Sequence, residues 1–269
     1  MRKKSLNQLF SWIAIGLMVM SMTGCGSEGK TIEITPEEID EYVTEKLGEN
    51  QLYDVSQSLR FSKETETYEV VEYVQDDSAV LHMETHVTDD EQITRQFFYL
   101  QGVPVYIDEM VSSNVTDLPF IQRRIYLDGV NVLRAEERSS AYENELAYLE
   151  YDEVTVDIDQ YDIERPKRAM LQQGEFQMSF EEFISIPPQE YLILENKESK
   201  YDVALFIAEG DDHAFLTDLR ENEDAYKGRP VFITHQFIIM QNIERMLFID
   251  GYFTDEDTTE EQPEHTDAE

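Results

Sequence analysis

Tyr68-Glu69-Val70-Val71-Glu72-Tyr73-Val74, then Gln75-Asp76-Asp77-Ser78, then Ala79-Val80-Leu81-His82-Met83-Glu84-Thr85-His86-Val87 is the stretch that decides the fold. Branched and aromatic residues alternate with polar ones on both sides of a short acidic turn. That is the period of a strand, where successive side chains point to opposite faces. The four residues between carry turn chemistry, so the pair predicts an antiparallel hairpin. In its second arm Leu81, Met83 and Val87 share one face, and His82, Glu84 and His86 share the other.

The same alternation extends from about Leu59 to Ile163. Phe98-Tyr99-Leu100-Gln101-Gly102-Val103-Pro104-Val105 is echoed by Ile125-Tyr126-Leu127-Asp128-Gly129-Val130-Asn131-Val132, and again by Leu247-Phe248-Ile249-Asp250-Gly251-Tyr252-Phe253. Each copy reads as a strand, a glycine turn and a return strand, because glycine tolerates the positive φ of tight hairpins. Two copies lie close together and the third is remote, which describes a meander using one turn chemistry rather than a solenoid. Leu146 to Ile163 reads as an acidic strand-like stretch, with Val154, Val156 and Ile158 alternating with Thr155, Asp157 and Asp159.

Helix signals are fewer. Thr35-Pro36-Glu37-Glu38 is a capping box with proline in the first turn, flanked by Ile34 and Ile39 as a hydrophobic staple. Ile39, Tyr42, Val43 and Leu47 form one apolar stripe and Gly48 ends it, so this helix needs a surface to cover. Glu164-Arg165-Pro166 interrupts the alternation and marks a domain boundary. Beyond it, Ser179-Phe180-Glu181-Glu182 fits either a capping box or a strand. Tyr191 to Leu194 and Tyr201 to Ala208 read as strands. Asp211 or Asp212 caps a short helix burying Phe215, Leu216 and Leu219, and Val231 to Met240 with Met246 to Phe253 makes a last hairpin. The predicted class is a β-rich α+β fold: a largely antiparallel meander with an N-terminal helix over residues 35–164, then a smaller α+β unit over 165–253. Large apolar side chains at alternating positions predict a filled core. Residues 254–269 are acidic without an aromatic and predict a disordered tail.

The chain begins differently. Arg2, Lys3 and Lys4 precede a nearly unbroken apolar run from Leu9 to Met20, about half the length of a membrane-spanning helix. Met22-Thr23-Gly24-Cys25 follows, and Cys25 is the single cysteine of the sequence. These 25 residues resemble a bacterial lipoprotein signal peptide. The resemblance implies removal of residues 1–24 and a diacylglycerol thioether on Cys25, with residues 25–34 as a tether. It also implies a place in the cell envelope, membrane-anchored by lipid, and Gly26 rather than Asp implies the outer membrane where the host has one. A lipidated thiol explains why an exported chain carries an unpaired cysteine.

Composition bounds the partners. The formal net charge is -37, and the leader holds three bases and no acid. Nucleic acid and anionic headgroups are repelled by such a chain, so a membrane partner is reached through acylated Cys25. The sequence shows no nucleophile elbow, phosphate-binding glycine loop or zinc-protease helix, and no cofactor motif. His213 and His235 are isolated and read as surface or core residues. His82, Glu84 and His86 lie about 6.6 Å apart along one strand, too wide to converge on one ion, and read as a solvated polar face. Asp157 and Asp159 are the one calcium candidate, although no EF-hand spacing accompanies them. Three function classes follow. The first is a non-catalytic envelope module that binds or scaffolds another envelope protein. The second is a β-rich carrier of a hydrophobic ligand, and the third a calcium-dependent surface protein or hydrolase.

Overall fold

The structure, a computed structural model, describes residues 30–49 and 52–254. The leader with Cys25 and residues 255–269 of the acidic tail lie outside them. Thr35 opens the first element as its context requires: its hydroxyl accepts from the Glu38 amide, and the Glu38 carboxylate accepts from the Thr35 amide at 2.8 Å. The result is α1 (Pro36–Gly48), which packs Ile39, Tyr42 and Val43 against the sheet together with Ile32 and Ile34. Leu47, the last member of the predicted stripe, is exposed. Ahead of the helix, the Ile32 amide donates to the Asp128 carbonyl at 2.8 Å and the Lys30 ammonium to the Gln101 carbonyl.

The sheet is β-rich and mostly antiparallel, with fourteen strands among the described residues. β1 (Asp54–Gln57) and β2 (Phe61–Lys63) both pair with β3 (Glu66–Gln75). The meander continues through β4 (Ser78–Val87), β5 (Glu91–Leu100), β6 (Val103–Ser113), β7 (Phe120–Leu127) and β8 (Val132–Ser140). After the short α2 (Glu143–Leu146), β9 (Asp152–Glu153) adds two residues. The expected strand over 146–163 is therefore corrected. The chain beyond β9 crosses the face opposite α1, laying Val154, Val156, Ile158 and Tyr161 on Phe97, Ile107 and Ile125.

The second half begins at α3 (Arg165–Met170) and closes on itself. β10 (Met178–Ile186) pairs with β11 (Gln189–Glu195), and β11 with β12 (Asp202–Ile207). After α4 (Ala214–Glu221) and α5 (Glu223–Tyr226), β13 (Pro230–Met240) and β14 (Ile243–Phe253) form the last hairpin. β13 returns to β10 and β14 meets β12 in parallel, which completes a five-stranded barrel. Its core contains Phe180, Leu192, Leu205, Ile233 and Phe248, and also Leu59, Phe61, Tyr68 and Val70 from ahead of the expected boundary at 164. β12 also touches β2 through Asp202 and Ser62, so the sheet is continuous.

The two readings of Ser179 to Glu182 resolve as strand, because Met178 and Phe180 are buried on one side of β10. The third strand–glycine–strand copy is corrected. Asp250 and Gly251 lie inside β14, beside a bulge at Ile249, and make no turn. Glycine is needed there for space: a Cβ on Gly251 would come within 2.7 Å of Ile233 and 2.8 Å of Phe215. The helix at α4 is capped by His213, whose Nδ1 accepts from the Phe215 amide, in place of Asp211 or Asp212.

Gly129 joins the N-terminal segment to the sheet. It sits at φ +115°, and a Cβ there would lie 2.2 Å from the Lys30 carbonyl oxygen. Gly102 also has positive φ but open space around it. Both Gly→Ala variants strain the backbone by about 1–2 kcal/mol, and only Gly129→Ala also dislodges residues 30–34. Urea unfolding of the two variants should show Gly129→Ala as the less stable by at least about 1 kcal/mol. Equal losses would mean that the Lys30 contact contributes nothing.

Candidate functional site

Five charged residues stand abreast across the meander. The register aligns Glu84, Arg95, Glu109, Arg123 and Glu137 on β4 to β8. Arg95 reaches Glu84 at 2.7 Å and Glu109 at 2.6 Å, and Arg123 reaches Glu109 at 2.6 Å and Glu137 at 2.9 Å. Glu84 is 1% exposed and Glu109 3%. Tyrosines add further donors: Tyr68 donates to the second oxygen of Glu84 at 2.7 Å, and Tyr161 to the Glu109 oxygen that also accepts from Arg123, at 3.1 Å. Burial opposes the charge of Arg95, yet the flanking carboxylates hold its pKa above the ordinary arginine value. For Tyr68, burial and then Glu84 push the hydroxyl well above the usual tyrosine range.

The face of His82, Glu84 and His86 is thus corrected from solvated to covered. His82 is 3% exposed and His86 half-buried, each with its own carboxylate: Glu72 at 2.9 Å and Glu66 at 2.9 Å. The sequence misreads this face because the residues that cover it, Tyr161 and the chain around α3, come more than seventy positions later. Among the described residues no group of three His, Cys, Asp or Glu side chains converges as a metal site. Asp157 caps a short 3-10 turn by accepting from the Asp159 amide at 3.2 Å, and both aspartates are exposed.

Where the meander meets the barrel, an open cleft of about 820 Å³ lies between residues 55–59 and 232–237. This departs from the expected filled core. The three apolar clusters are packed, but the junction between them is not. Met170, Leu171 and Gln172 line the cleft from the end of α3, and Ser78, Ala79 and Gly102 from two hairpin tips. One wall carries a polar relay. The Ser56 hydroxyl donates to Glu72 at 3.2 Å, and the His82 ring lies between Glu72 and the Tyr99 hydroxyl, 3.1 Å from Nδ1. The bond to His82 holds the Glu72 carboxyl below the usual carboxylate range. Both ring nitrogens are occupied and the serine bonds the carboxylate, so the relay braces the wall and presents no activated nucleophile.

His235 stands on the opposite wall, its ring 5.2 Å from that of Phe237. Burial pushes its pKa down to about 4. Gln172 binds the backbone of the same strand: its amide nitrogen donates to the Ile233 carbonyl at 2.7 Å and its oxygen accepts from the Ile233 amide at 3.0 Å. Sequence reasoning passed over Gln172 and the ladder. The ladder did leave a signal, since Arg95, Glu109, Arg123 and Glu137 recur at a spacing of 14 with alternating sign. No family model, no curated protein and no solved structure matches this chain.

Two outcomes follow. Arg95→Leu leaves Glu84 buried without a cation and Glu109 with Arg123 alone, and should lower unfolding stability by about 3–5 kcal/mol. A loss under 1 kcal/mol would show the ladder to be loosely hydrated. Separately, His235 stays neutral in the fold down to about pH 4, whereas the unfolded chain takes up its proton near pH 6.5. Stability is therefore full above about pH 6.5 and falls as the pH drops toward 4, by on the order of 2–3 kcal/mol from this group. His235→Gln should flatten the stability profile in that window relative to the parent protein. Parallel profiles would place the histidine in water.

Proposed function

We propose that the chain is a lipid-anchored, non-catalytic binding module of the bacterial cell envelope, with the cleft as its ligand site. The observation that carries this reading is the position of the cleft relative to the N-terminal segment. Hairpin tips at 76–77, 101–102 and 128–131 share one end of the meander, and Lys30 is bonded to the Gln101 carbonyl there. Gly102, the next residue, lines the cleft. An acylated Cys25 is five residues from Lys30, a reach of at most about 18 Å. On this reading the cleft opens beside the membrane, where an envelope component is presented. A size of several hundred Å³ with mixed apolar and polar walls is typical of ligand sites.

The carrier of a hydrophobic ligand is the second reading, favoured by Leu59, Met170, Phe232 and Phe237 in the lining. Both readings predict occupancy of the cleft and differ in the occupant. Among the described residues no helix is long and apolar enough to cross a membrane, so on this proposal attachment is the task of the acyl chains.

A photo-crosslinking amino acid placed at Thr234 in cells should capture a cleft ligand, and mass spectrometry of the adduct separates protein from lipid. The same probe at Asp117, exposed at the opposite end of the meander, should not. Absence of an adduct at Thr234, or the same adduct at both sites, would refute the cleft as the binding site. Cys25→Ser should leave the protein unprocessed or soluble. Recovery of that variant with membranes at high salt, leader removed, would refute the lipid anchor independently.

A further inference from the structure

We propose that the cleft receives an extended, basic peptide segment of a partner protein, which adds as a strand to the open edge of β13. The inference rests on the cleft being the binding site and names what occupies it. Its first support is the way the walls are built. A pocket facing the broad side of a sheet is lined by alternate residues, since neighbours point to opposite faces. Here six consecutive residues of β13, Phe232 to Phe237, line the cleft, and five consecutive residues, Val55 to Leu59, line the other side. Both strands therefore meet the cleft edge-on.

The second support is backbone pairing. β13 pairs with β10 only at Pro230 and Val231, and among the described residues its stretch beyond Ile233 pairs with β14 alone. Among the described residues β1 likewise pairs with β3 alone. Ile233 uses its outward N–H and C=O on the Gln172 side-chain amide, which imitates a neighbouring strand for one residue. Strand alternation then turns the backbone groups of His235, Phe237 and Ile239 to the same outward side. An edge of this kind is a template for another extended chain. Ile239 at its far end is 78% exposed.

The third support is charge, which selects the partner. Glu72, Glu164 and Lys167 line the cleft, the Lys167 ammonium lying 3.9 Å from Glu164, so the lining carboxylates outnumber the lining lysine by one. In a chain of net charge -37, both a second copy and the acidic segment 255–269 are repelled, whereas lysine or arginine at alternate positions of a peptide is attracted. The apolar side chains between them face Leu59, Met170 and Phe237.

The test uses the full-length chain and fluorescent ten-residue peptides read by anisotropy. One alternates valine and lysine, one valine and glutamate, and one is the valine–lysine peptide N-methylated at its four central residues. Palmitate serves as the lipid probe. The valine–lysine peptide should bind, and the other two at least about tenfold more weakly, one through charge and one through lost backbone donors. Hydrogen exchange should slow at His235, Phe237 and Ile239 on binding. Equal affinity for the N-methylated peptide, protection elsewhere, or binding of the acidic peptide as tightly would overturn the inference. Palmitate binding without peptide binding would overturn it too, while leaving the cleft as a ligand site. If nothing binds, the inference falls, and the Thr234 crosslink decides whether the cleft reading falls with it.

Discussion

The rest of the structure depends on one row of alternating charges that is buried at Glu84 and Glu109 and partly covered at Arg95, Arg123 and Glu137. Glu84, Arg95, Glu109, Arg123 and Glu137 cannot be desolvated singly, because an isolated buried charge costs several kcal/mol even after relaxation. They are tolerable only when every carboxylate meets its guanidinium, which happens in one register of β4 to β8. A slip of one residue would turn each charge to the α1 face and each apolar neighbour out of its cluster. The row therefore selects an alignment that apolar patterning alone leaves loose. Tyr68 and Tyr161 extend that selection beyond the sheet, since each donates to a carboxylate of the row and so ties β3 and the covering chain to it.

Much of this fold was legible because its local signals agree with its tertiary outcome. The Thr35 box, the period-two alternation on both sides of Asp76-Asp77 and the final hairpin appear where the residues place them. The turn chemistry was only partly legible. Three two-residue hairpins have positive φ at both positions, namely Asp76-Asp77, Gln101-Gly102 and Gln241-Asn242. Gly251, which imitates such a turn, is instead a packing necessity against Phe215. Aspartate and asparagine reach that conformation at modest cost, so glycine is neither required nor sufficient as a marker.

The cleft was not legible at all, for a reason that applies to any site between units. Its walls come from residues near 57, 80, 170 and 235, which nothing in a linear reading associates. Gln172 is a case in point: an unremarked polar residue after a short helix becomes the stand-in partner of a strand 61 positions away. His82 shows the converse error. Its neighbours suggested water or metal, and the structure gives it a carboxylate and a tyrosine inside the protein. The opening lies where β1 ends and β13 passes β10: among the described residues β1 pairs with β3 alone, and β13 beyond Ile233 with β14 alone.

The double attachment of β12 has a consequence for how the molecule is made. One end of that strand pairs with β2 and the other with β14, and Arg60 bonds Glu244 across 184 positions of sequence. Contacts that distant are late, because the loop they close is long and must be ordered first. In a chain emerging from its N-terminus, the nearest-neighbour hairpins of β3 to β8 are complete while the barrel still lacks β14. Leu59, Phe61 and Val70 then wait for residues nearly two hundred positions downstream to cover them. During that interval the half-formed edge of β2 is the part of the nascent protein most in need of a holding factor.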